Sequence, residues 1–450
     1  MKRLLLLGSG FLVLVTAVLL ALPYLTNFET VRSQVATIAA TTLRRPVSLS
    51  RLSLQAIPAP GLIIDDLAIT ERNGAPIVTV DKLIIEVELR PLLQQHLVVD
   101  RIVLESPQVH LTRNPDGSLN LPTPPSTASP SFLDTFTQHG LPPLTLALDQ
   151  FQLEDGAVTI RNKAGPMRAP FLQVQGLDVS LDNVSLTTAP AKPASAPMAS
   201  LLLSRLTAEG TMTLREVLYQ QTVRVENIQG ALAVENGVVR LNDVSLSLFG
   251  GQGNGQFAAH MNRVPPRYES NLTLEALRMD QVSTALQIAP VLVSGTMFLR
   301  ETLVTRGTTS EDFMHGLTGV ARFEIKDGTI RKMEMLGKIL SVLNLKRLFT
   351  GTLPDMSREG MPFDTISGSL RFKNGIMTID DCRLDSPVMD VDIKGSANLP
   401  DRKLNLVASA LGADFDVQGS VDNPDVSSRA MKGLKEGVGS LVEKGLGLFR

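Results

Sequence analysis

The chain has 450 residues, with 43 Lys and Arg against 45 Asp and Glu and a formal net charge of -2. That balance leaves no general basic field to hold a nucleic acid, and no basic stripe with interleaved aromatics runs along the sequence. Trp is absent, Tyr occurs three times, and the one cysteine, Cys382, excludes an intramolecular disulfide and a cysteine-rich zinc site.

Read in chain order, Lys2 and Arg3 precede an uncharged run from Leu4 to Leu22. At 1.5 Å per residue that run is about 28 Å long, close to the ~30 Å of a bilayer core. A cleaved signal peptide has a shorter apolar core and a small-residue cleavage site, and "LALPYLTNF" offers none. Residues 1–25 are therefore expected to be a transmembrane anchor. The basic pair before the span predicts a cytoplasmic N-terminus and an exported remainder.

"NFETVRSQVATIAATTLRRP" predicts a short amphipathic helix, capped by Asn27 and stopped by Pro46. From there the pattern is β. In "VDKLIIEVELR", Leu83, Ile85, Val87 and Leu89 fall on one face and Lys82, Glu86 and Glu88 on the other. Asn73-Gly74, Asp116-Gly117, Asp155-Gly156, Asn236-Gly237, Asp327-Gly328 and Asn374-Gly375 recur between such runs, and these dipeptides suit tight hairpins. Long antiparallel meanders follow. "VDRIVLESPQVHL" aligns without a gap on "IDDCRLDSPVMDV", with weaker copies in "IDDLAIT" and "LNDVSLSL", so the sheet is expected to be elongated and repetitive.

The predicted organisation is an anchor over 1–25, a β region over 26–121, a Pro/Ser-rich loop over 122–145, and a middle β region over 146–310 with a loop at 189–200. A last β region spans 311–426 and holds an inserted helix at 333–346. An amphipathic helix spans 427–450. Inside the β regions only "QVSTALQIAP" gives a further helical signal.

Catalytic and metal chemistry is poorly supported. The five histidines, His96, His110, His139, His260 and His315, form no metal-ligand spacing. There is no nucleophile elbow and no Walker loop. "LFGGQGNGQF" has Gly251, Gly253 and Gly255 in a nucleotide-like spacing but leads from strand to strand, so it reads as a bend in a sheet. "IDDCRLD" lacks the spacing of a calcium loop. An enzyme is not expected, nor is a cofactor.

What remains is apolar surface. A long sheet with one aliphatic face and few helices to cover it must curl. It can close on a solid core, or stay open as a groove suited to acyl chains, which gain ~0.8 kcal/mol per buried CH₂. Candidate lining residues are Leu83, Ile85, Val87, Leu89, Leu232, Val234, Leu370, Phe372, Met389, Val391 and Ile393. In "MLGKILSVLNLKRLF", Met335, Leu336, Ile339, Leu340 and Leu343 share one face of a helix too short to span a membrane. It is either a plug or gate on the groove or a structural cap.

The string "RPLLQQHLVVDRIVLESPQVHLTRNPDGSLNL", with "FEIKDGTIRKMEMLGKILSVLNLKRLF" and "GMPFDTISGSLRFKNGIMTIDDCRLDSPVMDVDIKGSANL", resembles the AsmA-like family of inner-membrane-anchored periplasmic β-groove proteins. That family belongs to the bridge-like lipid-transfer class. The resemblance implies phospholipids held or conducted between inner and outer membrane, in support of outer-membrane integrity, with the inner membrane and outer-membrane or envelope proteins as partners. It supplies no catalytic motif. A periplasmic factor that assembles or scaffolds outer-membrane proteins through its sheet edges stays open as the alternative.

Overall fold

The computed structural model describes residues 28–43, 45–55, 59–88, 90–91, 97–114, 119–120, 144–163, 170–186, 203, 206–285, 293–331, 360–387, 389–410, 412–421 and 424–429. These residues are mainly β: 21 strands in one sheet, with a few short helices. No helix among them is long and apolar enough to cross a membrane. The expected anchor with Lys2 and Arg3, the inserted helix at 333–346, the loop at 189–200 and nearly all of the C-terminal helix lie outside the described residues.

Two compact units are distinguished, Met1–Gln221 with Glu226–Leu241, and Thr222–Val225 with Asn242–Arg450. The first opens with α1, Phe28–Leu43, where the amphipathic helix was expected. Its Val35 and Ala36 pack on a cluster of Leu49, Leu52 and Ile64. The strands follow as β1 Val47–Ser48, β2 Arg51–Gln55, β3 Gly61–Thr70, β4 Pro76–Val87, β5 Leu97–Glu105, β6 Gln108–Arg113, β7 Leu144–Asn162, β8 Leu172–Leu186 and β9 Leu206–Tyr219. Strands β10 Val223–Glu235 and β11 Val238–Leu248 are divided between the units.

The first unit departs from a pure meander at β7, which pairs in parallel with both β5 and β6. Strands β5 and β6 are one run broken at Ser106-Pro107, where Ser106 has φ 50° and proline offers no ladder N–H. Residues 114–143, with the Pro/Ser-rich stretch among them, supply the chain length that a parallel return needs.

In the second unit come β12 Gly251–His260, β13 Arg267–Arg278, α2 Met279–Ala285, β14 Thr296–Arg306, α3 Ser310–Gly316 and β15 Thr318–Ile330. Then follow β16 Met361–Lys373, β17 Ile376–Asp385, β18 Val391–Asn398, β19 Lys403–Ala410, β20 Ala413–Ser420 and β21 Pro424–Ser428. Each strand from β12 to β21 pairs antiparallel with the next. The core holds Ile325, Met361, Phe363, Leu384, Met389, Val391, Phe415 and Val417, with Met361 and Phe415 at 0% exposure.

Helix α2 begins the "QVSTALQIAP" signal, whereas α3 was not expected. Its capping box was readable: the Thr309 hydroxyl accepts from Asp312 N, and the Asp312 carboxylate accepts from Thr309 N. Two Asp-Gly pairs also behave differently from the hairpin expectation. Asn73-Gly74, Asn236-Gly237 and Asn374-Gly375 do make turns, but Asp155-Gly156 and Asp327-Gly328 lie inside β7 and β15. Asp155 and Asp327 have φ 49° and 51° there. A residue that tolerates positive φ serves a mid-strand kink as well as a turn.

Candidate functional site: the apolar face of the sheet

Residues directly opposite on paired strands share a face, so the ladders can be followed across each unit. In the first unit one row runs Leu52, Ile64, Leu83, Leu104, Leu153, Val179, Met212. The next runs Leu54, Leu62, Ile85, Ile102, Phe151, Leu181 and ends at Gly210. Leu52, Ile64 and Leu181 are buried, Leu54 is exposed, and the rest of the two rows' side chains are half-buried.

The other face is largely charged. One row there runs Asp65, Lys82, Glu105, Glu154, and another Glu86, Arg101, Gln150, Asp182, Glu209. Lys82 Nζ lies 2.8 Å from Glu105 Oε2, and this hydrogen bond raises the lysine pKa. Between these rows runs a third that starts apolar, at Ile63, Ile84 and Val103, and ends polar at Gln152, Ser180 and Thr211.

The second unit repeats the arrangement. One row runs Leu277, Met297, Ile325, Ile366, Leu384, Val391, Ala410, Ala413, apolar at every step. A second passes Leu274, Leu299, Phe323, Gly368, Cys382, Ile393, Ala408 and Phe415. A third passes Leu272, Glu301, Ala321, Leu370, Ile379, Gly395, Leu406, Val417 and Val426. The opposite face carries Glu324, Ser367, Arg383, Asp392, Ser409 and Asp414 in one row. A hollow of about 870 Å³ lies on that charged side, lined by Arg322, Ser367, Ser369, Asp381, Arg383 and Lys394 among others. Its Arg383 is engaged by Asp385 at 2.6 Å and Asp390 at 3.2 Å.

The candidate lining residues fall on these faces to different depths. Leu83, Ile85 and Val87 are half-buried on β4; Leu83 packs on the Leu49 cluster, and Ile85 and Val87 on a cluster of Val99, Leu148, Leu181, Val184 and Ala208. Leu232 packs on that second cluster too, while Val234 is buried. Leu370 and Phe372 are half-buried on β16. Met389 and Val391 are buried in the second unit's core, with Ile393 packed against it. Leu89 and the helix residues Met335, Leu336, Ile339, Leu340 and Leu343 lie outside the described residues. The sequence reading passed over Ile102, Leu104, Phe151, Val179, Met297 and Phe323. The same period-two alternation marks them, as in "LALDQFQLEDGAV".

Two polar groups sit on the apolar rows. Glu301 is buried, accepts from Ser270 Oγ at 3.2 Å, and has its pKa pushed up by burial. Burial, helped by Asp381 and Asp392, pushes the Cys382 thiol up to about 11. Gly253 fits the same packing: a Cβ there would meet Leu274 Cδ2 at 2.4 Å. The glycines of "LFGGQGNGQF" thus serve the Phe249–Gly250 turn and close strand contact, as the bend reading expected. Among the described residues, no group of three or more His, Cys, Asp or Glu could hold a metal ion.

A sheet whose rows stay aliphatic from strand to strand on one face, and largely charged on the other, defines an amphipathic β-sheet protein with an extended apolar surface. Residues 1–185 match the AsmA family, and residues 227–415 match the family described as YhdP protein. A stretch of 97 residues is 33% identical to the intermembrane phospholipid transporter YhdP of Escherichia coli (strain K12), covering 20% of this chain and 8% of that protein. Together these matches support a member of the AsmA-like family.

Proposed function

We propose that the chain holds phospholipid acyl chains on the aliphatic face of its sheet and serves their passage between the inner and outer membrane. The carrying observation is that apolar rows continue unbroken over six or more neighbouring strands within a unit, with most of the first unit's row residues half-buried rather than sealed. Side chains that merely filled a closed core would be buried throughout. A chain of about ten methylenes laid on such a face gains ~8 kcal/mol relative to water, which offsets the like cost of drawing those methylenes out of a bilayer. The E. coli relative, an intermembrane phospholipid transporter, supports the same reading.

In this proposal residues 4–22 anchor the chain in the inner membrane, and the rest acts in the periplasm without catalysis or cofactor. The helix at 333–346 gates or caps the apolar face. Purification of the full chain in mild detergent, with mass spectrometry of what remains bound, tests it. Phospholipid bound in fixed stoichiometry is the expected result. A stoichiometric outer-membrane protein with no bound lipid would overturn it in favour of an assembly factor.

A further inference from the structure

One edge of the second unit carries a chemistry that the apolar face does not use. Three connections meet there: residues 261–266 between β12 and β13, residues 307–317 between β14 and β15, and the Asn374–Gly375 turn between β16 and β17. They are tied together. Gly307 N donates to Pro266 O at 2.9 Å, Gly375 N to Leu317 O at 3.1 Å, and Thr305 Oγ1 to Phe313 O at 2.8 Å. Tyr268 stacks on Phe257, with ring centroids 6.4 Å apart, and meets Phe313 edge-to-face at 5.4 Å. The edge is therefore a built surface and not a set of independent loops.

That surface presents apolar side chains to water. Val264 is 90% exposed at the hairpin tip, Met314 48% and Phe313 37%. Beside them a hollow of about 670 Å³ is lined by Arg263, Arg267 and Arg306, with Thr305, Thr318 and Asn374 completing its polar wall. Arg267 uses one terminal nitrogen on Glu269, at 3.1 Å, while its Nε is buried and has no hydrogen-bond partner. Among the described residues no carboxylate pairs with Arg263 or Arg306. Of the acids nearby, Asp312 is occupied in capping α3, Glu269 is shared by Arg267 and His260, and Glu311 stays exposed.

Three guanidiniums lining one hollow repel each other and are relieved by an anion, and guanidinium is shaped for phosphate oxygens. Exposed aliphatic and aromatic tips next to such a hollow match the boundary of a bilayer, where phosphates lie just outside the acyl region. We propose that this loop edge docks on an anionic lipid surface, with Arg263, Arg267 and Arg306 on headgroup phosphates and Val264, Phe313 and Met314 entering the interface. This concerns the surface on which the protein sits, not the lipid it carries, and stands whether or not the apolar face holds acyl chains.

The test places an environment-sensitive fluorophore on Val264→Cys in the full chain, in a Cys382→Ala background. The chain is held in neutral phosphatidylcholine nanodiscs, and vesicles are added. Vesicles containing phosphatidylglycerol should shift the emission to the blue, and pure phosphatidylcholine vesicles should not. Arg263→Gln with Arg306→Gln should weaken the response by roughly 25-fold, about five-fold per arginine. The same label on Lys326→Cys, eight residues along β15 from Thr318, should stay unshifted. No shift with anionic vesicles, an equal shift with neutral ones, or a response to inorganic phosphate but not to vesicles would each overturn the proposal. Both arginines are exposed, and the comparison of vesicle types on the unaltered arginines does not depend on the double variant's fold.

Discussion

Ile85 and Ile102 face each other across β4 and β5 in the middle of an apolar row, both half-buried. Replacing both with Asp puts two carboxylates across the path of any acyl chain lying on that face. Adjacent strands are ~4.8 Å apart, so crossing the row takes about four methylenes and forfeits ~3 kcal/mol, about 150-fold in occupancy. Because the sites are half-buried, the cost to folding should be smaller, about 1–2 kcal/mol each. The control adds the same charge to the opposite face, with Ser53→Asp and Thr211→Asp, positions on the row that passes Ile84 and Ser180. Both variants are purified as full chains, their folding is checked by circular dichroism and thermal melting, and bound phospholipid is counted by mass spectrometry. Lipid should vanish from the Ile85/Ile102 variant and persist in the control. A folded Ile85/Ile102 variant with unchanged lipid, or an equal loss in the control, would refute the assignment of this face.

Further expectations are separate from that one. Phe415→Ala removes a fully buried ring from the second unit's core and should cost about 3–5 kcal/mol in denaturant unfolding; a loss under 1 kcal/mol would mean that the core is not packed as described. Cys382, at about 11 against an ordinary 9.0, should react with iodoacetamide at pH 8 about 100-fold more slowly than an exposed Val264→Cys thiol; rates within ten-fold of each other would contradict its burial. Burial raises the folded-state pKa of Glu301, so the folded chain holds that proton more tightly and stability falls as pH rises from the ordinary carboxylate range through the raised value. Glu301→Gln should remove that fall, so its melting temperature should gain on the parent's with rising pH; parallel curves would show that the carboxyl is not penalised.

Much of the fold was legible because a one-sided sheet writes itself as alternation. Leu83, Ile85 and Val87 were readable on β4 with their charged neighbours, and Leu370 and Phe372 fall on apolar rows of β16. Three things were not legible. The parallel pairing of β7 depends on where a long connection returns the chain, which no local pattern records. The depth of burial, which separates Val391 from Leu370, depends on what the rest of the unit packs above each position. The third is the mid-strand kink. Asp66, Asp155, Asn183, Asn227, Asp243 and Asp327 all have φ between 49° and 53° within strands. The internal repeat noticed in "IDDLAIT" and "LNDVSLSL" contains Asp66 and Asp243. In these two copies the repeat carries a kink as well as a strand, at an Asp that tolerates that backbone.

The kinks and bulges explain how an imperfect alternation still yields a clean face. In "IDDCRLD", Ile379 and Cys382 pair with Leu370 and Gly368 and share a face, although they are three residues apart. The extra residue is absorbed in a bulge, where Ser369 N donates to Asp381 Oδ1 at 3.0 Å and Arg371 reaches Asp380 at 2.6 Å. Deleting Asp380 should therefore leave strict alternation, with Ile379 and Cys382 still facing the same way, at the cost of one exposed ion pair worth under ~1 kcal/mol. Deleting Arg383, three residues on, has the opposite effect. It turns the buried Leu384 to the charged side and aims Asp385 at the core of Met361 and Val391, which costs several kcal/mol. Thermal unfolding of the two deletions separates them: the Asp380 deletion should melt cooperatively within a few degrees of the parent, and the Arg383 deletion should lose the transition. Equal tolerance of both would mean that register on β17 is not set by its apolar face, and that the bulge plays no part in holding Ile379 and Cys382 on it.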